Sequence, residues 1–342
     1  MVDTISIAGR KVGLGAPCFV IAEIGINHGG DEKLCEKLII AAAEAGADAV
    51  KLQTVTPDES YHPDTDSHRL FKGATLSREA NARMVAAAKK AGVILFSTPG
   101  DPTALELLLE LGMPAIKISS GLLTNLPLIE MAAAGGKPLI MSTGMARANE
   151  VQEAVAAARG AGCREMALLQ CTSLYPAPAA TLNLRAMAAL AKIGDCPVGY
   201  SDHHDGHLAV LAAVAAGAKL IEKHFTFDAS APGADHAISI EPAEFSQMVR
   251  AIREIEAMLG TNEKVPVEAE IPLRDGRHRR LVAARDLAPG TSVTPDDLYL
   301  MRLPADRAAL PARRYHEVIG KRTTCAVPRL SGLTAAAIEG MT

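Results

Sequence analysis

Tryptophan is absent from the 342 residues and aromatic residues make up only 3%, so no core here is built around large rings. What remains is an interior of Val, Ile, Leu and Ala, which suits a sheet covered by Ala-rich helices. The six cysteines (Cys18, Cys35, Cys163, Cys171, Cys196, Cys325) form no CxxC pair and no dense framework, and free buried thiols in a reducing compartment are expected. No basic stretch interleaved with aromatics occurs, and the formal net charge is -4, so nothing points to nucleic acid or an anionic membrane as a partner. Apolar runs break off before the roughly 18 residues a membrane span needs. The opening MVDTISIAGRKVG also lacks the apolar stretch of a signal peptide, and a cytoplasmic location is expected. Neither GxGxxG nor GxxxxGK[ST] stands between a strand and a helix, which argues against a dinucleotide or a P-loop nucleotide.

What is present is an alternation. Short aliphatic runs predict strands at 19–25, 49–54, 93–98, 115–120, 138–143, 166–171, 197–202 and 220–226. Longer Ala/Leu/Glu runs between them read as helices, several closed by Gly. Eight such βα beats predict a closed (β/α)8 TIM barrel over residues 1–260, with a small hairpin at 5–17 covering its bottom. Beyond 260 the texture changes. Residues 261–278 are charged and irregular and read as a linker; 279–342, with short strands and turns, read as a small mostly-β domain.

In such a barrel the C-terminal strand ends share one mouth, where catalytic groups collect. Here those ends carry Glu23, Lys51, Gln53, Thr98, Lys117, Ser119, Ser120, Ser142, Cys171, Thr172, Ser201, Asp202, His203, Glu222 and His224. A lone Ser or Thr at a strand end needs no function. A lysine inside AVKLQT and another inside AIKISS do need a reason, because lysines are seldom buried without an anionic partner. Two lysines among hydroxyls suit a compact polyanion, most simply a phosphate with a carboxylate.

The stretch IEKHFTFD (221–228) puts Glu222, His224 and Thr226 on one face and Ile221, Lys223 and Phe225 on the other. Read alone, it is equally a strand end with solvated charges. His203 ends the preceding strand, so two imidazoles side by side can ligate one divalent metal, or can be hydrogen-bonded core histidines. Glu222 and Asp202 are expected to orient them.

The quoted segments, together with IAEIGINHGG, STGM, CTSLYP, GYSDH and PGADHAIS, resemble the bacterial sialic acid synthases, the phosphoenolpyruvate-dependent nonulosonate synthases, over almost the whole chain. The C-terminal module resembles the antifreeze-like (SAF) domain. The resemblance implies condensation of phosphoenolpyruvate with an N-acetylated hexosamine (N-acetylmannosamine or a related diacetamido-hexose, as in surface-polysaccharide precursors) to give a nonulosonic acid and phosphate. It implies phosphoenolpyruvate on Lys51, Thr98, Lys117, Ser120, Ser142, Ser173 and Ser201, and Mn2+ or Mg2+ on His203 and His224. It further implies the sugar on Glu23, Gln53, Tyr175 and Asp235, with Arg302 of LMRLP reaching it from the partner in a domain-swapped homodimer. Glu23, Lys51, Lys117, His203 and His224 are the implied catalytic set.

The chain departs from that pattern in three places: Leu122 where an acidic residue is expected after SSG, Ser173 where Asn is expected, and MRLPADRAAL where a Gly-rich KRP segment is expected. Two other readings compete. One is a Schiff-base aldolase using Lys51 or Lys117; the other is a catalytically lapsed sugar-binding homologue, hinted at by Leu122.

Overall fold

In a computed structural model, residues 4–233, 235–304 and 306–342 are described. Met1–Asp3, Ala234 of PGADHAIS and Ala305 of MRLPADRAAL lie outside the described residues. The chain divides into two compact units, Met1–Gly260 and Thr261–Thr342.

Unit one opens with the antiparallel hairpin β1 (Thr4–Ile7) and β2 (Arg10–Gly13). Eight parallel strands follow: β3 (Phe19–Gly25), β4 (Ala49–Thr54), β5 (Ile94–Pro99), β6 (Ile116–Ile118), β7 (Leu139–Ser142), β8 (Met166–Cys171), β9 (Val198–Asp202) and β10 (Leu220–His224). They close in sequence order, with β10 pairing β3. Each predicted strand is present, within a few residues of its expected bounds.

The period of two along each strand builds the interior in layers. Phe19, Ile21, Ala49, Phe96, Ala115, Ile140, Ala167, Leu169 and Leu220 form a lower apolar cluster, and Ile5, Ile7 and Val12 of the hairpin plug it from below. Two residues further along the same strands stand Glu23, Lys51, Thr98, Lys117, Ser142, Cys171 and Glu222. The apolar floor therefore carries a polar layer directly above it. The outward strand faces pack against the helices in a separate aliphatic core that includes Val20, Val50, Leu95, Ile118, Met141, Leu168, Tyr200 and Ile221.

Several helix starts are locally encoded. Asp31, Ser77, Asp101 and Asn125 accept backbone N–H groups of the following first turns, a cap worth about 1 kcal/mol each. Between β4 and the helix Arg78–Ala91 the chain inserts two further helices, Pro57–Ser60 and Asp66–Ala74, which the alternation alone does not signal.

Unit two has its own core of Leu281, Leu287, Val293, Leu298, Leu310, Val318, Val327, Leu333 and Ile338 around β11 (Arg280–Ala283) and β12 (Leu298–Met301). The segment expected as an irregular linker is ordered in part. Glu270 accepts from the Val267 N–H, and a helix spans Ile271–Arg277 with Pro272 in its first turn, where a missing N–H costs nothing.

Candidate active site

The polar layer and the loops above it enclose a cavity of about 380 Å3. Its floor holds charges that are paired with one another. Lys51 Nζ lies 2.9 Å from Glu23 Oε2 and 3.9 Å from Glu222 Oε2, and it donates to Thr98 Oγ1 at 3.1 Å. Lys117 Nζ donates to Ser142 Oγ at 2.7 Å and lies 3.4 Å from Glu222 Oε1, which accepts from Ser201 Oγ at 2.9 Å. All four charged side chains are at most 5% exposed, so none is a solvated strand end.

Burial and neighbours set their protonation. Burial, with Glu222 adding to it and Lys51 opposing, pushes the Glu23 carboxyl up to about 7. Burial would likewise raise Glu222, but Lys117, Lys51 and the Ser201 bond outweigh it and hold its pKa below the ordinary value. For Lys117, burial wins over Glu222 and the amine is held below the usual lysine range. For Lys51, Glu222 and Glu23 together overcome burial, and its pKa is raised. The floor thus carries a firm positive charge on Lys51 and a firm negative one on Glu222, flanked by two groups that exchange protons more readily.

Above the floor, the His203 and His224 rings stand with centroids 5.2 Å apart. His203 Nδ1 lies 2.8 Å from the Thr172 carbonyl, so that nitrogen carries the proton and the Nε2 lone pair is left available. His224 Nδ1 is buried without a hydrogen-bond partner, 3.7 Å from Asp235 Oδ2. Burial, then the positive neighbours His203 and Lys51, keep His224 well below the ordinary imidazole value and therefore neutral. At His203 burial is outweighed by Cys171 and the Thr172 carbonyl, which hold its imidazole above the ordinary value. The neutral His224, with its orphan nitrogen, and His203 once it has given up its second proton fit the donor set of a divalent cation. Among the described residues no group of three or more His, Cys, Asp or Glu side chains could hold one, so water or substrate would complete the shell.

Gln53 Nε2 donates to Glu23 Oε1 at 2.9 Å, and a Cβ built on Gly25 would come within 3.4 Å of Glu23, Asp235 and Gln53, so these three converge over that glycine. The register between β3 and β4 slips at Glu23/Gly25, which lets the strand turn there. Tyr175 lies over His203 with centroids 4.2 Å apart. Ser120 Oγ accepts from the Gly144 N–H at 3.0 Å, and Ser173 Oγ is buried without a partner. A Cβ at Gly144 would stand 2.3 Å from Ser173 Oγ, so only glycine lets the two serines meet there.

Of the residues expected at the mouth, Glu23, Lys51, Gln53, Lys117, Ser120, Ser142, Ser173, Tyr175, Ser201, His203, His224 and Asp235 line this one cavity. Thr98 does not. It anchors Lys51 and borders an adjoining recess with Leu122. Arg302 belongs to unit two, exposed, with its Nε donating to the Arg277 carbonyl at 3.2 Å. The expected orienting roles of Glu222 and Asp202 are corrected: Glu222 pairs with the lysines, and Asp202 points outward to Lys223 Nζ at 2.9 Å and the Tyr200 hydroxyl at 2.9 Å. Strand alternation explains both, because residues 202 and 223 sit on the helix-facing side.

Sequence reasoning missed the apolar wall. Tyr61 and Phe71 stack at 5.1 Å and, with Ile26, Leu70 and Met145, line the same cavity. They come from the inserted helices, the loop after β3 and the loop after β7, where strand-end logic does not look.

The NeuB family model matches residues 38–264 and the SAF domain model residues 278–339. An uncharacterised protein of Methanocaldococcus jannaschii is 42% identical, covering 88% of this chain and 89% of its own length. The N,N'-diacetyllegionaminic acid synthase of Legionella pneumophila is 39% identical over 85% of this chain and 86% of its own. The crystal structure of an N-acetylneuraminic acid (sialic acid) synthetase from Leptospira borgpetersenii, in complex with citrate, superposes with a TM-score of 0.77 at 35% identity, covering 81% of this chain and 98% of that one. With the barrel's charged floor and paired histidines in the matched region, the chain is a NeuB-family enzyme that carries a SAF domain.

Proposed function

We propose that this enzyme condenses phosphoenolpyruvate with an N-acetylated hexosamine to give a nonulosonic acid and inorganic phosphate. The observation that carries the reading is the convergence of two buried lysines and a pair of adjacent histidines in one cavity. Relatives named as legionaminic, pseudaminic and N-acetylneuraminate-9-phosphate synthases support the same class.

Lys51 and Lys117, with Ser120, Ser142, Ser173 and Ser201, bind the phosphate and carboxylate of phosphoenolpyruvate by charge-assisted bonds. Gln53, Tyr175 and Asp235 orient the open-chain sugar, whose aldehyde carbon forms a bond to C3 of phosphoenolpyruvate. His203 and His224 would hold a divalent cation, Mn2+ or Mg2+, which when bound supplies Lewis-acid polarisation of the aldehyde oxygen. C2, left electron-poor, adds water, while the lysines hold the carboxylate and the phosphate and stabilise the negative charge on the departing phosphate. Loss of the hydrate's proton then expels phosphate and leaves a 2-keto acid, while the former aldehyde oxygen takes up a proton. Glu23, poised near neutrality, is the group that moves these protons.

The wall of Tyr61, Leu70, Phe71 and Met145 receives the acetamido methyl groups. Each additional buried methyl is worth about 0.8 kcal/mol, roughly fourfold, so a diacetamido-hexose is preferred over N-acetylmannosamine. We further propose a cytoplasmic, domain-exchanged homodimer in which Arg302 serves the partner's sugar site.

Phosphate release from phosphoenolpyruvate, measured against a panel of 2-acetamido and 2,4-diacetamido hexoses, tests the reading. Sugar-dependent release supports it, and no release with any member refutes it. The depressed pKa of Lys117 favours a second reading, a Schiff-base lyase. Borohydride trapping of a covalent adduct on Lys117 would establish that reading instead.

A further inference from the structure

Unit two carries thirteen Lys and Arg against ten Asp and Glu, whereas residues 1–260 carry 22 against 29. The excess is concentrated. Arg274, Arg277, His278, Arg279, Arg280 and Arg313 surround one concavity of about 530 Å3, completed by Pro311 and Ala312, and no described acidic side chain lines it.

Four arginines elsewhere in this unit are occupied: Arg285 on Asp297, Arg314 on Glu317, Arg322 on the Gly290 carbonyl and Arg329 on the Ala284 carbonyl. Arg280 is occupied as well, donating to the Ala309 carbonyl at 3.1 Å. Among the described residues, the guanidinium groups of Arg274, Arg277, Arg279 and Arg313 make no hydrogen bond or ion pair. Four guanidiniums that never deprotonate repel one another across one hollow. Arg274 and Arg277 occupy the last turn of a seven-residue helix, where a cation is favoured, but Arg279 and Arg313 lie off that helix and gain nothing from it.

We propose that this hollow is a binding site for a compact anion bearing two or more phosphate groups, such as a pyrophosphate or a nucleoside diphosphate. Forked guanidiniums match phosphate oxygens two at a time, and several converging on one volume select a multivalent anion over a monovalent one. The arginines ring a concavity rather than form a stripe, which suits a small ligand better than an extended nucleic acid. Neither Phe nor Tyr lines it, so the phosphates carry the recognition. This site is independent of the barrel's reaction.

The test is calorimetric titration of the full-length chain with inorganic pyrophosphate, and in parallel with sulfate at matched ionic strength. A Lys117→Ala chain, with the barrel's phosphate shell impaired, should still bind one pyrophosphate per chain, more weakly as salt is raised. Arg274→Gln/Arg313→Gln should weaken that binding at least tenfold while phosphoenolpyruvate-dependent turnover and thermal unfolding stay as in wild type; a single Arg279→Gln change should show a smaller loss in the same direction. Tighter binding of a nucleoside diphosphate than of pyrophosphate would identify a nucleotide as the source, and equal binding a phosphate chain alone. The proposal is overturned if the arginine variants bind as wild type, if binding vanishes in Lys117→Ala, or if sulfate binds equally well.

Discussion

Glu222 Oε1 stands 3.4 Å from Lys117 Nζ at a depth where neither side chain is more than 5% exposed. Because Lys51 Nζ approaches the other oxygen at 3.9 Å, one carboxylate is shared between two ammonium groups, with Glu23 the nearer partner of Lys51. Glu222→Ala should therefore lower stability by about 3–5 kcal/mol, the cost of leaving buried charge uncompensated, measured by chemical denaturation. Glu222→Gln keeps a partner for Ser201 but removes the charge that raises Lys51 and that opposes the lowering of Lys117 by burial. The alkaline loss of phosphoenolpyruvate affinity should then move to lower pH than in wild type.

The lysines themselves give a direct measure of the anion shell. Lys51→Ala and Lys117→Ala should each raise the KM for phosphoenolpyruvate, since a hydrogen bond to a charged group is worth about 1.5–3 kcal/mol, or roughly 10- to 150-fold. Steady-state kinetics showing an unchanged KM and kcat in both would make the two residues structural.

Glu23 makes a pH prediction with a definite sign. Its folded pKa, about 7, lies above the ordinary carboxyl value, so the folded state holds this proton more tightly than the unfolded state. Its contribution falls as pH rises from about 4.5 through about 7, as the folded protein comes to bear a buried carboxylate. The difference in Tm between wild type and Glu23→Gln should therefore shift against wild type across that window. In activity, the limb of the kcat/KM profile near pH 7 should disappear in the variant.

Cation dependence follows from the histidine pair. Excess chelator should abolish phosphate release and added Mn2+ restore it, while His203→Ala and His224→Ala should each lose the response. Full turnover in chelator would remove both residues from the metal assignment.

For Arg302 the expectation is complementation. Lys117→Ala and Arg302→Ala chains, each nearly inactive alone, should recover about a quarter of wild-type activity when mixed under subunit exchange, because random pairing gives half heterodimers with one intact site of two. No recovery despite confirmed exchange would place the arginine in its own chain's site or in none.

Much of this molecule is written locally. Alternation of two in AVKLQT and AIKISS dictates that a lysine stands two places beyond an inward Ala, and helix caps such as Asp31 and Ser77 are read from adjacent residues. Barrel closure, the polar layer and most of the cavity's polar lining follow from that periodicity. Which charge meets which was decided only by the tertiary structure. Glu222 and Asp202 look alike as strand-end carboxylates, yet the pleat sends one inward to Lys51 and Lys117 and the other outward to Lys223. Tyr61 and Phe71 sit ten residues apart with no periodic signal, and it is the fold of an inserted helix pair that stacks them on the cavity wall. Local backbone geometry fixes the direction in which a side chain points, but which partner it meets depends on the distance between strands far apart in sequence, and that distance exists only once the barrel has closed.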